Sequence, residues 1–172
     1  MTKSDLNTSE FDHYYTRYID KLTDETELQT GFETGKSKLI NFFSSIPSDK
    51  LTYRYQPEKW SIKEVLQHLI DTERIFMYRC FRIARRDISA LTGYDQNIYV
   101  EPSRADEKSI ESLLNEFTIN RNNSISILTS LTDEDLSFIG NANGSPMSAR
   151  AAAFIIIGHD IWHMEVIRNK YL

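Results

Sequence analysis

Hydrophobic residues recur along most of the chain with the spacing of α-helices. They fall at intervals of three and four residues in four long segments, and no region alternates apolar and polar residues convincingly over the length of a strand. The pattern predicts one short aromatic-rich helix and then four long helices, over residues 11–22, 25–46, 61–86, 106–131 and 148–171. Long amphipathic helices bury their apolar stripes against one another, so we predict an all-α fold built as a four-helix bundle.

The ends of these helices carry local signals. Ser61 and Glu64 have the spacing of a capping box, in which each side chain binds the backbone N–H of the other residue, so the third helix is expected to begin there. Pro47 is expected to end the second helix because proline cannot continue it. Ser103 is a candidate cap for the fourth helix, which is predicted to begin near Asp106.

Two connections, Thr52–Trp60 and Asp87–Ser103, are longer than a bundle requires, and loops of this length are often functional. Within the second, Asp95 and Asn97 are candidates either for lining the mouth of a site or simply for forming a turn. A third segment, Gly140–Pro146, is rich in Asn and Gly and is predicted to be a loop. Neither a repeat nor a domain boundary is visible, so residues 1–172 are expected to form one domain.

Composition and charge narrow the class of protein. Hydrophobic residues make up 40% of the chain, which is enough for a sizeable core and argues against disorder. The net charge is −5, with 20 Lys and Arg against 25 Asp and Glu. Such a composition does not favour nucleic-acid binding, because affinity for nucleic acids depends on clustered cations. We therefore expect no nucleic-acid partner.

The cellular location is also constrained. The N-terminal segment Met1–Glu10 is polar, and no run of about 18 apolar residues exists, so neither a signal peptide nor a membrane span is expected. The single cysteine, Cys80, excludes an internal disulfide and fits a reducing compartment, which predicts a cytoplasmic protein. Because Cys80 lies in an apolar helical run, it is expected to be a small core residue rather than a nucleophile.

Two histidines lie one turn apart at the centre of the last helix's apolar stripe. His159 and His163 are separated by four residues, so both side chains point to the same helix face. Imidazoles at this spacing can bind one metal ion. Two buried histidines that each bond a neighbouring group would explain the pattern about as well, so both interpretations remain open.

The other two histidines are weaker candidates. His68 lies at the edge of the third helix's stripe, where it could be a third metal ligand or a surface residue, and the sequence alone does not bring it to the other pair. His13 lies among tyrosines and is expected to be structural or exposed.

Two further polar residues are candidates for catalytic roles. Arg121 lies within the apolar stripe of the fourth helix and requires an anion, either an internal carboxylate or an acidic group of a substrate. Asp71, one turn beyond His68, could orient a ligand or relay a proton, although a solvated carboxylate would have the same spacing.

Several short segments together resemble the DinB-like superfamily, in particular its YfiT-type members. The similar segments, in chain order, are Trp60–Leu69, Thr72–Arg74, Arg79–Ala84, Gly93–Asn97 and Gly158–His163. Each is short, but their order and spacing are specific, and the resemblance covers residues 53–172 closely. Thr92 departs from the family, where proline often precedes this Gly-Tyr-Asp segment.

The resemblance implies an up-down-down-up bundle and one divalent metal ion per chain, zinc or nickel, held by His68, His159 and His163. It also implies a small-molecule substrate and a homodimer. Family activities include transfer of low-molecular-weight thiols such as bacillithiol, thiol-dependent isomerisation and metal-dependent hydrolysis. The leading hypothesis is a thiol S-transferase acting on a small electrophile. The alternatives are a metal-dependent hydrolase and a non-catalytic metal-binding protein of the stress response.

Overall fold

The computed structural model describes all 172 residues, and helices dominate it. The α-helices are α1 (Thr16–Ile19), α2 (Leu28–Ser44), α3 (Ile62–Ala84), α4 (Asn97–Ser103), α5 (Ile110–Thr129), α6 (Asp133–Ser137) and α7 (Ala149–Lys170); the strands are β1 (Ile139–Ala142) and β2 (Ser145–Ser148). No helix combines the length and the apolar character that crossing a lipid bilayer demands.

The four long helices form a square in cross-section. α3 packs most extensively against α7, α5 packs against both α2 and α3, and α2 also packs against α7. Consecutive helices α2 and α3 therefore lie diagonally across the bundle rather than side by side. The polypeptide crosses the end of the bundle through the long connection that contains Trp60.

Paired contacts show that α3 and α5 run in the same direction. The Ser61 hydroxyl, at the start of α3, donates a hydrogen bond to Asp106, just before α5. Farther along both helices, Glu73 of α3 contacts Arg121 of α5. From the first contact to the second, the residue numbers increase on both helices, so α3 and α5 are parallel.

α7 runs antiparallel to α3 and parallel to α2. The Tyr171 hydroxyl, just beyond the end of α7, donates to the carbonyl oxygen of Trp60, just before α3. The Arg168 guanidinium stacks on Phe42, and these residues lie near the C-terminal ends of α7 and α2. The arrangement is the up-down-down-up bundle, which confirms the predicted fold class.

The expected helix starts are confirmed at two places and wrong at a third. Ser61 and Glu64 form the capping box of α3, and Ser148 caps α7. The fourth long helix begins at Ile110 and is capped by Ser109, not near Asp106 with Ser103 as its cap. The Asp106 carboxylate instead accepts hydrogen bonds from Arg54 and Ser61 in a short 3₁₀ turn.

Three segments differ from the sequence prediction in their secondary structure. The N-terminal helix predicted over residues 11–22 is shorter, a 3₁₀ turn leading into α1. The segment Gly140–Pro146 belongs to a β-hairpin, because Asn143 and Gly144 both adopt positive φ (56° and 81°) and so form a two-residue turn. Four-residue strands are too short to show alternation, which is why the hydrophobic pattern missed them. The connection Asp87–Ser103 contains α4.

Two apolar clusters fill the two ends of the bundle, and a polar layer separates them. One cluster includes the C-terminal half of α3 and the N-terminal half of α7, and the other contains the opposite halves. Glu73, Arg121 and Asp160 lie at the level between the clusters, each on a different helix, and all are buried. His68, His159 and His163 occupy the same middle region of α3 and α7.

Candidate metal centre

Helices α3 and α7 bring three histidines to one point. The Nε2 atoms of His68 and His159 are 3.1 Å apart, and the His163 ring centroid lies 4.5 Å from that of His159 and 5.0 Å from that of His68. His159 and His163 share a face because they are one turn apart on α7, whereas His68 joins them only because α3 packs alongside. One ring nitrogen of each residue lies within 4.8 Å of the others.

This donor set fits a divalent metal ion. Tetrahedral zinc with bonds of 2.0–2.1 Å separates two nitrogen ligands by about 3.4 Å, so the three nitrogens need move little to share one ion. The Nδ1 atom of His163 is buried and has no hydrogen-bond partner in the protein. Such an unsatisfied atom is costly unless a ligand occupies it.

The protonation state of the rings also suits metal binding. Burial lowers the pKa of His68 to about 4. Burial lowers the pKa of His159 and His163 well below the ordinary value of 6.5, with a smaller contribution from the neighbouring histidines. At neutral pH all three imidazoles are therefore uncharged, which is the form that binds metal ions.

Aromatic rings surround the three histidines. Trp60 packs on His68, Tyr18 packs edge-on against His159, and Trp162 packs edge-on against His163, with ring centroids 4.7–5.0 Å apart. On the other side of His68, the hydroxyl of Thr72 lies 3.3 Å from Nδ1 and 2.9 Å from the Tyr94 hydroxyl. The Thr72 contact holds the ring so that Nε2 faces His159.

The histidines open onto a cavity of about 570 Å³. The two long connections of the sequence prediction both contribute to its wall: the first provides Trp60, and the second provides Gly93, Tyr94 and Gln96. The β-hairpin and the segment around α1 complete the enclosure. The volume lies in the range typical of small-molecule sites.

Of the two candidate catalytic residues, Asp71 lies outside this cavity. Its carboxylate accepts hydrogen bonds from Gln67 and Arg74, each 3.1 Å long, on the outer side of α3. Thr72, and not Asp71, contacts His68. Asp71 is therefore a partly solvated carboxylate on the outer side of α3.

Arg121 is fully buried and binds two internal carboxylates. Its Nε and Nη2 donate to the two oxygens of Glu73 at 2.8 and 2.9 Å, and Nη2 also donates to Asp160 at 2.6 Å. The side chain does not line the cavity. Of the two anions considered for Arg121, the structure provides the internal one.

The remaining polar candidates occupy structural or exposed positions. Cys80 is fully buried, and burial raises its pKa to about 12, so it is not a ready nucleophile. His13 is exposed and lies 3.3 Å from the Thr16 hydroxyl. Asp95 accepts hydrogen bonds from the backbone and side chain of Asn97, which is the turn-forming alternative.

Some residues of the cavity had no individual prediction from the sequence. They are Tyr18, Thr72, Arg79, Tyr94 and Trp162. Thr72 and Arg79 lie four and eleven residues after His68, so the helical repeat places them on the same face of α3. That spacing was a usable signal, whereas the approach of Tyr18 depends on how α1 crosses α7.

Comparison with known proteins identifies the family. The fold is similar to that of YfiT from Bacillus subtilis, with a TM-score of 0.73 and 15% sequence identity over 95% of this chain and 91% of that one. YfiT is described as a probable metal-dependent hydrolase with an unusual four-helix bundle topology. No curated protein sequence matches the chain. The family model of the DinB superfamily matches residues 32–167, and the chain therefore belongs to the DinB superfamily.

Proposed function

We propose that this protein is a metal-dependent enzyme that transfers a low-molecular-weight thiol to a small electrophile. One observation carries the proposal: three neutral histidines open into an aromatic cavity whose wall contains no cysteine and only one carboxylate, that of Asp12. His68, His159 and His163 would hold one divalent ion, zinc or nickel. An ion with three imidazole ligands keeps its full charge and lowers the pKa of a thiol or a water molecule that binds it.

The thiol must come from solution because the cavity wall contains no cysteine. Cys80 does not line the cavity and lies in the core. In the proposed reaction a thiol loses its proton to solvent, and its sulfur bonds to the electrophilic carbon. A halide or an epoxide oxygen then leaves that carbon with the bonding electrons. The rings of Tyr18, Trp60 and Trp162 would exclude water and pack against an apolar electrophile.

A thiol needs less help from the protein than water does. The ordinary thiol pKa of about 8.5 lies close to neutral pH, so the metal alone suffices to generate the thiolate. Metalloproteases with the H-E-x-x-H motif, which activate water, use the glutamate of that motif as a general base. Here Asp12 is the single carboxylate in the cavity wall, and it accepts hydrogen bonds from the Tyr14 N–H and the Ser145 hydroxyl.

The second candidate is a metal-dependent hydrolase, which the fold shared with YfiT favours. The same three histidines would serve both reactions, because a metal ion with an open position also activates water. The two functions differ in the co-substrate: the transferase needs a thiol for turnover, and the hydrolase needs water alone.

We expect the purified protein to contain about one divalent ion per chain, and each of His68→Ala, His159→Ala and His163→Ala to weaken metal affinity at least about tenfold. Elemental analysis by mass spectrometry measures the content. His13→Ala is the matched control, since this exposed histidine lies outside the cluster and should leave the metal content unchanged. Full metal retention in His68→Ala would remove that residue from the site.

The decisive experiment supplies thiols and electrophiles to the metal-loaded protein. A low-molecular-weight thiol is expected to change the visible spectrum of the cobalt-substituted protein, and to react with a haloaromatic or an epoxide faster with the protein than without it. His159→Ala should abolish the acceleration, and Cys80→Ala should leave it nearly unchanged.

Two other outcomes would replace this proposal. Metal-dependent hydrolysis of an ester or an amide, with no effect of any thiol, would identify a hydrolase. A metal-loaded protein that is inert to broad panels of both kinds of substrate would identify a non-catalytic metal-binding protein.

A further inference from the structure

A buried cation without a counter-ion lines the cavity. Arg79 is only 2% exposed, and it takes part in none of the ion pairs that the other buried or half-buried arginines form. Its Nη2 donates one hydrogen bond, 3.1 Å long, to the carbonyl oxygen of Thr92, while its buried Nη1 has no partner. Fully buried arginines are rare unless they are paired, because an unpaired buried charge is costly. We therefore expect an anion to bind Arg79.

The groups around Arg79 compensate its charge only in part. The guanidinium carbon lies 4.8 Å from the centroid of the Phe76 ring and 6.0 Å from that of Tyr94. Cation–π contacts of this kind are attractive, but they do not replace the hydration that a guanidinium loses on burial. Arg121 shows the contrast, since it stacks on two rings and still binds two carboxylates.

The cavity as a whole carries a positive balance of charge. Its wall contains two arginines, Arg79 and Arg17, and one carboxylate, Asp12. Asp12 is exposed and already binds Tyr14 and Ser145. The whole chain carries a net charge of −5, so the cavity is a local site of attraction for anions in an acidic protein.

Of the α3 residues that line the cavity, His68 is the first and Arg79 the last, so they mark the two ends of the wall that α3 provides. Arg79 follows His68 by about three helical turns on the same face of α3, and its guanidinium packs back over Phe76. His68 and Phe76 are separated by about 12 Å along the helix axis. The wall between these ends includes the Tyr94 ring, which contacts Thr72 through its hydroxyl and Arg79 through its face.

We propose that Arg79 binds a carboxylate group of the substrate and so places the reactive end of that molecule at the three histidines. The inference rests on the proposed function, and it specifies the substrate class: a small molecule with a carboxylate at one end and an aromatic or apolar body. Either the thiol or the electrophile carries the carboxylate. Planar guanidinium–carboxylate pairing provides specificity as well as attraction.

A binding experiment on metal-free protein tests Arg79 separately, because a metal ion would itself bind carboxylates. The probes are 4-phenylbutanoate and its neutral isostere 4-phenylbutanamide, measured by isothermal titration calorimetry. The wild type is expected to bind the acid at least tenfold more tightly than the amide. Arg79→Gln should bind the two probes equally. Arg85→Gln is the matched control: Arg85 also stacks on a ring, that of Phe81, but lies outside the cavity.

Thermal unfolding distinguishes a binding role from a structural one. An arginine that stabilises the fold makes Arg79→Met less stable, whereas an arginine retained for a ligand leaves Arg79→Met as stable as the wild type or more stable. We expect an unchanged or higher Tm without ligand, together with loss of the Tm increase that 4-phenylbutanoate gives the wild type. A lower Tm with an unchanged ligand response would overturn the inference.

Kinetics on the metal-loaded protein identify which reactant carries the carboxylate. If the thiol carries the carboxylate, Arg79→Gln is expected to raise the KM at least tenfold for 8-mercaptooctanoate, whose chain is long enough to reach from Arg79 towards the histidines, but not for 8-mercaptooctan-1-ol. If the electrophile carries it, the same change is expected for a carboxylated aryl epoxide but not for an uncharged one. Unchanged KM values for all four reactants would refute the assignment. Metal content, measured in the same samples, distinguishes the two proposals. A protein that binds the carboxylate probe more tightly than the amide but binds no metal would support the role of Arg79 and contradict the proposed function.

Discussion

Replacing Arg121 with methionine is expected to lower the free energy of unfolding by about 3–5 kcal/mol at pH 7. The guanidinium is fully buried and neutralises Glu73 and Asp160, so its removal leaves two carboxylates without a cation in the middle of the bundle. Because the three residues lie on three different helices, the loss also weakens the contacts that set α3 and α7 beside each other.

The loss in free energy of unfolding caused by Arg121→Met should become smaller as the pH falls. Burial raises the pKa of Asp160 to about 6, although Arg121 acts to lower it. Without Arg121 this pKa rises further, and a carboxyl group with a raised folded-state pKa binds its proton more tightly in the folded state. Stability then rises as the pH falls through that pKa, so the difference from the wild type is smaller at pH 5 than at pH 8.

Urea unfolding monitored by circular dichroism at both pH values checks this result. Arg74→Gln is the matched control, because Arg74 also pairs with two carboxylates, Asp71 and Glu116, but is 46% exposed. Its loss should cost no more than about 1 kcal/mol. Equal destabilisation by the two substitutions would show that the buried ion cluster has no special role in stability.

Gly158→Ala is expected to destabilise the protein by about 2–3 kcal/mol, although alanine normally favours a helix interior over glycine. A Cβ atom at this position would lie 2.1 Å from the carbonyl oxygen of Tyr18 and 2.6 Å from its carbonyl carbon. Both are backbone atoms, so α1 would have to move away from α7. The Tyr18 ring would move with it, and this ring packs against His159 and Trp162.

Two measurements follow the Gly158→Ala change. Urea unfolding gives the loss of stability, and tryptophan fluorescence reports on the cavity, because both tryptophans, Trp60 and Trp162, line it. Gly35→Ala is the control within another helix, α2: its Cβ would meet only the Nη1 of Arg121, at 3.3 Å. It should remain within about 1 kcal/mol of the wild type, with unchanged fluorescence. A stable Gly158→Ala variant with native fluorescence would contradict the close approach of α1.

Much of the fold can be predicted from short segments of the sequence. The four long helices follow from apolar residues spaced at three and four positions, and the starts of α3 and α7 follow from Ser61 and Ser148, because caps act on backbone groups within one turn. The shared face of His159 and His163 follows from the same helical period. The hairpin turn Asn143–Gly144 was also a local signal, although the hydrophobic pattern did not reveal its strands.

The site itself depended on tertiary packing. No periodicity relates His68 to α7, since the two segments meet only through the antiparallel contact of α3 and α7. The same holds for the two buried arginines, which look alike in the sequence as cations within apolar stripes. Packing placed two carboxylates beside Arg121, whereas Arg79 lies in the cavity wall and forms no ion pair. The sequence determined which faces are buried, because that information is local. Only the packing of distant segments decided which charges meet, because a counter-ion can come from any helix that shares the interior.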